Sequence, residues 1–279
     1  MALSSFQLLC LPIIGIAYAA LFAQSNRRAA LALEVLILAT AGALSEHSAI
    51  ALYGFYEYAE GWWLPLGHVP LLVAMIWPLV LLSAREVACT LWPQRTATLR
   101  TAIIVAIVLF DASLMEIVAV DAGYWRWFES GYMGVPLMGM TGWGCFALAV
   151  AMVGKRLDGR AWQFPVAIIA IAAITHLLLL AIWWGALRWF LRDALPPSSL
   201  LVYGIFSAWY AMNVWRTPSE RRLPTLTAMP RLVAATAFFI LLAQSTSPES
   251  PWIWGHVALA AMPYLLATRW PSPMSSVRD

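Results

Sequence analysis

The chain is short of charge, of lysine and of clustered cysteine, and each shortage removes a class of protein. Asp, Glu, Lys and Arg make up 11% of its 279 residues, against roughly 25% in soluble domains. That is too little to cover a water-soluble surface of this size. Cys10, Cys89 and Cys145 are far apart and lack any CxxC spacing, which argues against a disulfide framework and a zinc site. Lys155 is the single lysine and falls in a loop, so a retinal Schiff base inside the membrane is excluded. There is no soluble domain, no long linker and no evident internal repeat, and nothing resembles a basic nucleic-acid patch.

What is present is apolar. Hydrophobic residues reach 62%, and uncharged runs of about 20 residues, enough to cross about 30 Å of hydrocarbon as helix, recur along the chain. The runs are continuous rather than alternating, which disfavours a membrane β-barrel. The expectation is an all-α, polytopic transmembrane bundle of about nine helices, at 3–24, 29–51, 66–84, 101–121, 134–154, 162–187, 196–215, 231–247 and 251–268. It forms one domain over 1–270, with 271–279 as a disordered cytoplasmic tail. Ala17-Tyr18-Ala19 resembles a signal-peptide cleavage site, but no basic segment precedes it, so the first helix is expected to stay.

With those spans, 14 Lys and Arg fall on one side, including Arg27, Arg28, Arg85, Arg95, Arg100 and Arg231, and 3 on the other, Arg126, Arg188 and Arg192. The positive-inside rule then puts the N-terminus outside and the C-terminus in the cytoplasm of a multi-pass protein of the inner membrane.

Acids inside a bilayer cost about 2.5–3.5 kcal/mol each on the insertion scale and mark function by default. Counting 1.5 Å per residue from the basic edge puts Asp111 roughly 16 Å deep, Glu116 and His176 roughly 24 Å and Glu46 roughly 27 Å. Glu46, Glu116 and His176 thus share one level, with Asp111 one or two turns below. Asp111 and Glu116 lie about 140° apart around one helix, so they cannot both face one narrow groove. Glu34, near the cytoplasmic end of its span, is expected to be solvated or paired with Arg28, and His256 stays ambiguous. An apolar site can keep a carboxylic acid neutral as a proton donor, as protonation of an isolated alkene requires, and aromatic faces stabilise the cation that results.

Of the 16 Trp, Trp62, Trp63, Trp92, Trp183, Trp184 and Trp270 read as an interfacial belt. Trp125 and Trp127, beside Asp121 and Tyr124, and Trp143 do not reduce to it so simply. Two aromatic-rich segments, Ser45 to Pro70 and Asp111 to Trp143, are expected to form short interfacial helices or re-entrant turns over a cavity.

Those segments resemble the CruF-type carotenoid hydratases. The matching residues are Glu46, Tyr53, Gly54, Tyr56, Tyr58 and Val69-Pro70, then Asp111, Glu116, Gly123, Trp125, Trp127, Gly134-Val135-Pro136 and Gly142-Trp143. The family often has an Asn where this chain has Leu137, Met138 and Gly139, and His68 stands where the first Gly-Val-Pro has Gly. The resemblance implies addition of water to a terminal C=C of a long acyclic carotenoid. Asp111 or Glu116 would give the proton, Glu46 would serve as base for water, and Tyr53, Tyr56, Tyr58, Tyr124, Trp125, Trp127 and Trp143 would face the substrate. It implies no metal or redox cofactor; the partners are the lipid bilayer and an isoprenoid. A terpenoid cyclase would use the same chemistry, and a pigment- or quinone-binding subunit of a membrane complex is the non-enzymatic alternative.

Overall fold

The computed structural model describes residues 2–129, 131–154, 163–188, 196–216, 222–245 and 250–268. Trp270 and the tail, Lys155 and Arg192 lie outside the described residues. Within them the chain forms nine α helices: α1 Leu3–Gln24, α2 Arg28–Tyr53, α3 Leu71–Leu91, α4 Ala97–Asp121, α5 Leu137–Gly154, α6 Gln163–Ile182, α7 Pro196–Trp215, α8 Thr225–Leu242 and α9 Ser250–Ala267. A π-helical turn, Trp183–Leu187, extends α6. Seven of the nine are long and apolar enough to cross a membrane; α7 and α9, which pack against each other, are not among them. The protein is an all-α polytopic bundle.

Helices α3 and α4 form the centre. Helix α3 packs on α1, α2, α4 and α8, and α4 packs on α3, α5, α8 and α9. Their burial contrasts with Leu8, Leu11, Leu36, Ile169, Leu177 and Ile205, large apolar side chains on outer faces, where lipid rather than protein satisfies them. Pro12, Pro78, Pro230 and Pro263 sit inside helices, which membrane bundles tolerate because neighbours satisfy the freed backbone groups.

Three features depart from expectation. The two aromatic segments carry short strands, where interfacial helices or re-entrant turns are the expectation. Strand β1 (Tyr56–Tyr58) pairs antiparallel with β4 (Trp125–Trp127), while β2 (Pro65–Leu66) and β3 (Val69–Pro70) form a separate small hairpin. Each strand of the β1–β4 ladder is entered from a helix through a glycine in the left-handed region, Gly54 after α2 and Gly123 after α4, a conformation that costs residues with a Cβ. Second, Arg231 is not in a loop. Helix α8 begins at Thr225, six residues earlier than expected, and carries Arg231 inward. Third, Glu34 takes Arg85 of α3 as its bidentate partner rather than Arg28.

Candidate functional site: two glutamates in one aromatic cage

Glu46 lies two turns before the end of α2 and Glu116 just over one turn before the end of α4, with 8% and 6% of their surface exposed. A strand alternates its side chains, so Tyr56 and Tyr58 leave β1 on one face and Trp125 and Trp127 leave β4 on one face. Both hydroxyls of β1 donate to Glu46 Oε1, Tyr56 at 2.7 Å and Tyr58 at a shorter distance. Both indoles of β4 donate to Glu116 Oε2, at 2.9 and 3.2 Å. The remaining oxygens are met from the following helices: Trp77 of α3 donates to Glu46 Oε2 at 2.9 Å and Trp143 of α5 to Glu116 Oε1 at 2.9 Å. Each carboxylate thus receives three aromatic donors.

The two sets interlock. The ladder pairs Tyr56 with Trp127 and Tyr58 with Trp125, whose ring centroids are 4.5 and 5.6 Å apart. Trp77 and Trp143 stack face to face at 3.7 Å and 19°. Between the inward rings, Glu57 and Arg126 point outward and form an exposed ion pair at 2.5 Å. No Arg or Lys contacts either glutamate among the described residues.

The halves of the cage repeat one design. Each is a helix bearing a glutamate, a left-handed glycine, an aromatic-x-aromatic strand, a Val-Pro, and a helix whose Trp lies seven residues after that proline (Pro70 to Trp77, Pro136 to Trp143). The equivalent strands pair antiparallel about the central Glu57–Arg126 position, the arrangement a local two-fold axis gives. This repeat is invisible in plain sequence because Tyr replaces Trp in the strands and the intervals differ by a few residues.

The β1 hydroxyls lie outside the helices, and burial above all holds both well above the ordinary tyrosine range. They therefore remain protonated donors. Tyr124, at the turn before β4, stacks on Phe6 at 4.2 Å and is pushed up to about 12 by burial. Its carbonyl accepts from Trp62 at 3.2 Å.

Other expected site residues lie apart. Asp111 faces away from Glu116, toward α8 and α9, where Tyr264 donates to its Oδ1 at 2.6 Å and Arg231 Nη1 lies 2.9 Å from Oδ2. His176 is not bonded to either glutamate; its Nε2 meets the Ser48 hydroxyl at 2.7 Å, and Tyr53 lies edge-on at 5.4 Å. His256, ambiguous from sequence, is fully buried between the hydroxyls of Ser113 and Tyr132, each at 3.2 Å, and stacks on Tyr203. No group of three His, Cys, Asp or Glu side chains suited to a metal ion occurs among the described residues.

Sequence reasoning missed Trp77, Arg231 and Tyr264. Trp77 had a usable signal: two turns into an apolar helix, it is too deep for the interfacial belt.

No curated protein and no solved structure matches the chain. A family profile described as carotenoid biosynthesis protein matches residues 7–207, a stretch that contains both glutamates and all six of their donors. On that match, over most of its length, the chain belongs to the carotenoid biosynthesis protein family.

Proposed function

We propose that the chain is a membrane-embedded hydratase that adds water across a terminal C=C of an acyclic carotenoid. The observation that carries this reading is the cage itself: two buried glutamates, held by six aromatic donors and contacted by no cation among the described residues. Hydration needs one carboxyl that gives a proton and one that takes a proton from water. Neighbouring carboxyl groups in different environments divide those roles.

The donor sets indicate the division. An indole N–H can only donate, whereas a tyrosine hydroxyl both donates and accepts. Glu116, with three indoles, is suited to the ionised form. Glu46, with two tyrosines, can carry a proton that a hydroxyl accepts. Glu46 is therefore the proton donor and Glu116 the base, the exchange of the roles expected from sequence, and Asp111 is held out of the chemistry by its ion pair. The proton leaves Glu46 for the terminal alkene, and a tertiary carbocation forms against the aromatic faces, which attract cations. Water bonds to that carbon and its proton passes to Glu116, giving a tertiary alcohol. Return of the proton from Glu116 to Glu46 restores the starting state.

The basic loops lie at the opposite ends of these helices, so the positive-inside rule supports a cage on the outer side of the inner membrane. The test is expression in a lycopene-producing bacterium with pigments resolved by chromatography and mass. A product heavier by one water is expected. Glu46→Gln and Glu116→Gln should each lower its formation by about 10²–10⁴-fold, the range for a general acid or base, while the protein still inserts. An isomer of equal mass would indicate a cyclase instead, and an unchanged co-purifying pigment a binding subunit.

A further inference from the structure

On the other side of α3 and α4 from the cage lies a cavity of about 180 Å³, walled by α1, α3, α4, α8 and α9. Its surface is almost wholly apolar, with Ile14, Leu79, Leu114 and Phe238 among the lining residues. At one end stand Asp111, Arg231 and Tyr264. Arg231 is the unusual member. Its side chain is 8% exposed, Nη1 is engaged by Asp111, and the guanidinium lies 4.8 Å from the Tyr264 ring centroid. Yet Nε and Nη2 are buried with no hydrogen-bond partner. Buried donors are paired in the great majority of cases, and each exception calls for an explanation.

We propose that this cavity binds the oxygen-bearing end of a linear isoprenoid, whose hydroxyl, ether or keto oxygen accepts from Arg231 Nε and Nη2. The acceptor is neutral: Asp111 already balances the charge of Arg231, and an anionic head would meet that carboxylate with no second cation among the described lining residues to offset it. Tyr264 is committed to Asp111 and leaves the acceptor role to the ligand. The space suits a chain end rather than a macrocycle, since an apolar cavity of about 150 Å³ takes up benzene. The isoprenoid body rests on the proposed function, whereas the oxygen acceptor rests on Arg231 alone. A tertiary alcohol made by hydration is of this class, so the cavity accommodates a chain already hydrated at one end.

The test is binding, without turnover, to the purified full-length protein in detergent. The probes are a C20 isoprenoid alcohol, the hydrocarbon of the same skeleton and the corresponding diphosphate. The alcohol should bind at least about tenfold more tightly than either, as a hydrogen bond to a charged donor predicts. The charge-neutral double variant Asp111→Leu, Arg231→Met should lose that preference while retaining hydrocarbon binding. Equal binding of alcohol and hydrocarbon, tighter binding of the diphosphate, or a preference that survives in the double variant overturns the proposal. If the double variant does not fold, photolabelling of the wild type by a diazirine-bearing C20 alcohol decides. Labels on the α8 segment Leu232 to Phe238 support the site, and labels confined elsewhere reject it. Because no product is measured, failure here leaves the hydratase test standing, and failure of hydration leaves this one.

Discussion

The two halves of the cage share one plan and differ in donor chemistry. The Glu46 half uses two phenols and one indole, and the Glu116 half uses three indoles. A phenol can rotate its O–H away and accept in return; an indole N–H in a packed ring can do neither. Backbones of one plan thus surround one carboxyl whose partners tolerate a change of protonation and one whose partners oppose it. The contrast predicts unequal responses to the same substitution. In Glu116→Gln the amide oxygen can serve Trp125 and Trp127, but the NH₂ then confronts the N–H of Trp143. Losing charged acceptors and orphaning one buried donor should cost about 3 kcal/mol. In Glu46→Gln the oxygen serves Trp77 and the NH₂ donates to a tyrosine, so the loss should be about 1 kcal/mol. Equilibrium unfolding in detergent measures both, and equal losses would break the comparison.

A smaller effect sharpens it. If the orphaned Trp143 N–H is what makes Glu116→Gln costly, removing that N–H while keeping a ring should return part of the loss. Trp143→Phe alone should cost about 1.5 kcal/mol. Combined with Glu116→Gln it should cost less than the two separate losses together, with a coupling of about 1–2 kcal/mol. The matching cycle of Trp77→Phe with Glu46→Gln should show little coupling, because there the amide oxygen still accepts from Trp77. Simple additivity in both cycles would place the difference in ring packing, where Trp77 and Trp143 stack on each other, rather than in hydrogen bonding.

Much of this was legible in sequence, for physical reasons. Hydrocarbon thickness sets helix length, so the expected first span, 3–24, coincides residue for residue with α1, which is long and apolar enough to cross. Helix geometry alone said that Asp111 and Glu116 face different neighbours, and they do: one meets Arg231 and Tyr264, the other three indoles. Rise per residue puts Glu46, Glu116 and His176 at one level; the two glutamates do share a cage, whereas His176 bonds to Ser48. The ladder could not be read, because β1 and β4 are three residues each and far apart in the chain. The expected eighth span, 231–247, leaves Arg231 at the basic edge, whereas α8 runs from Thr225 through Pro230; in water a mid-helix proline is a break, but inside a packed bundle it is not. That single misplacement hid the partner of Asp111, and with it the cavity.

The smallest predicted effect concerns the outer face of the ladder. Glu57 and Arg126 occupy the central paired position, and their 2.5 Å ion pair could be taken as the bond that holds β1 to β4. Their side chains are 49% and 71% exposed, and exposed pairs of this kind contribute about 0.2–1 kcal/mol. The inner face instead offers four hydrogen bonds to buried carboxylates, and the flanking main-chain bonds from Phe128 to Phe55 and from Ala59 to Tyr124 extend the pairing. Glu57→Ala should therefore lower stability by less than about 1 kcal/mol, with the deficit shrinking further in salt, and should leave pigment turnover unchanged. A loss of several kcal/mol, or a matching loss of turnover, would mean that the outer pair sets the ladder. The glutamates would then be guests of the cage, not the anchors that shape it.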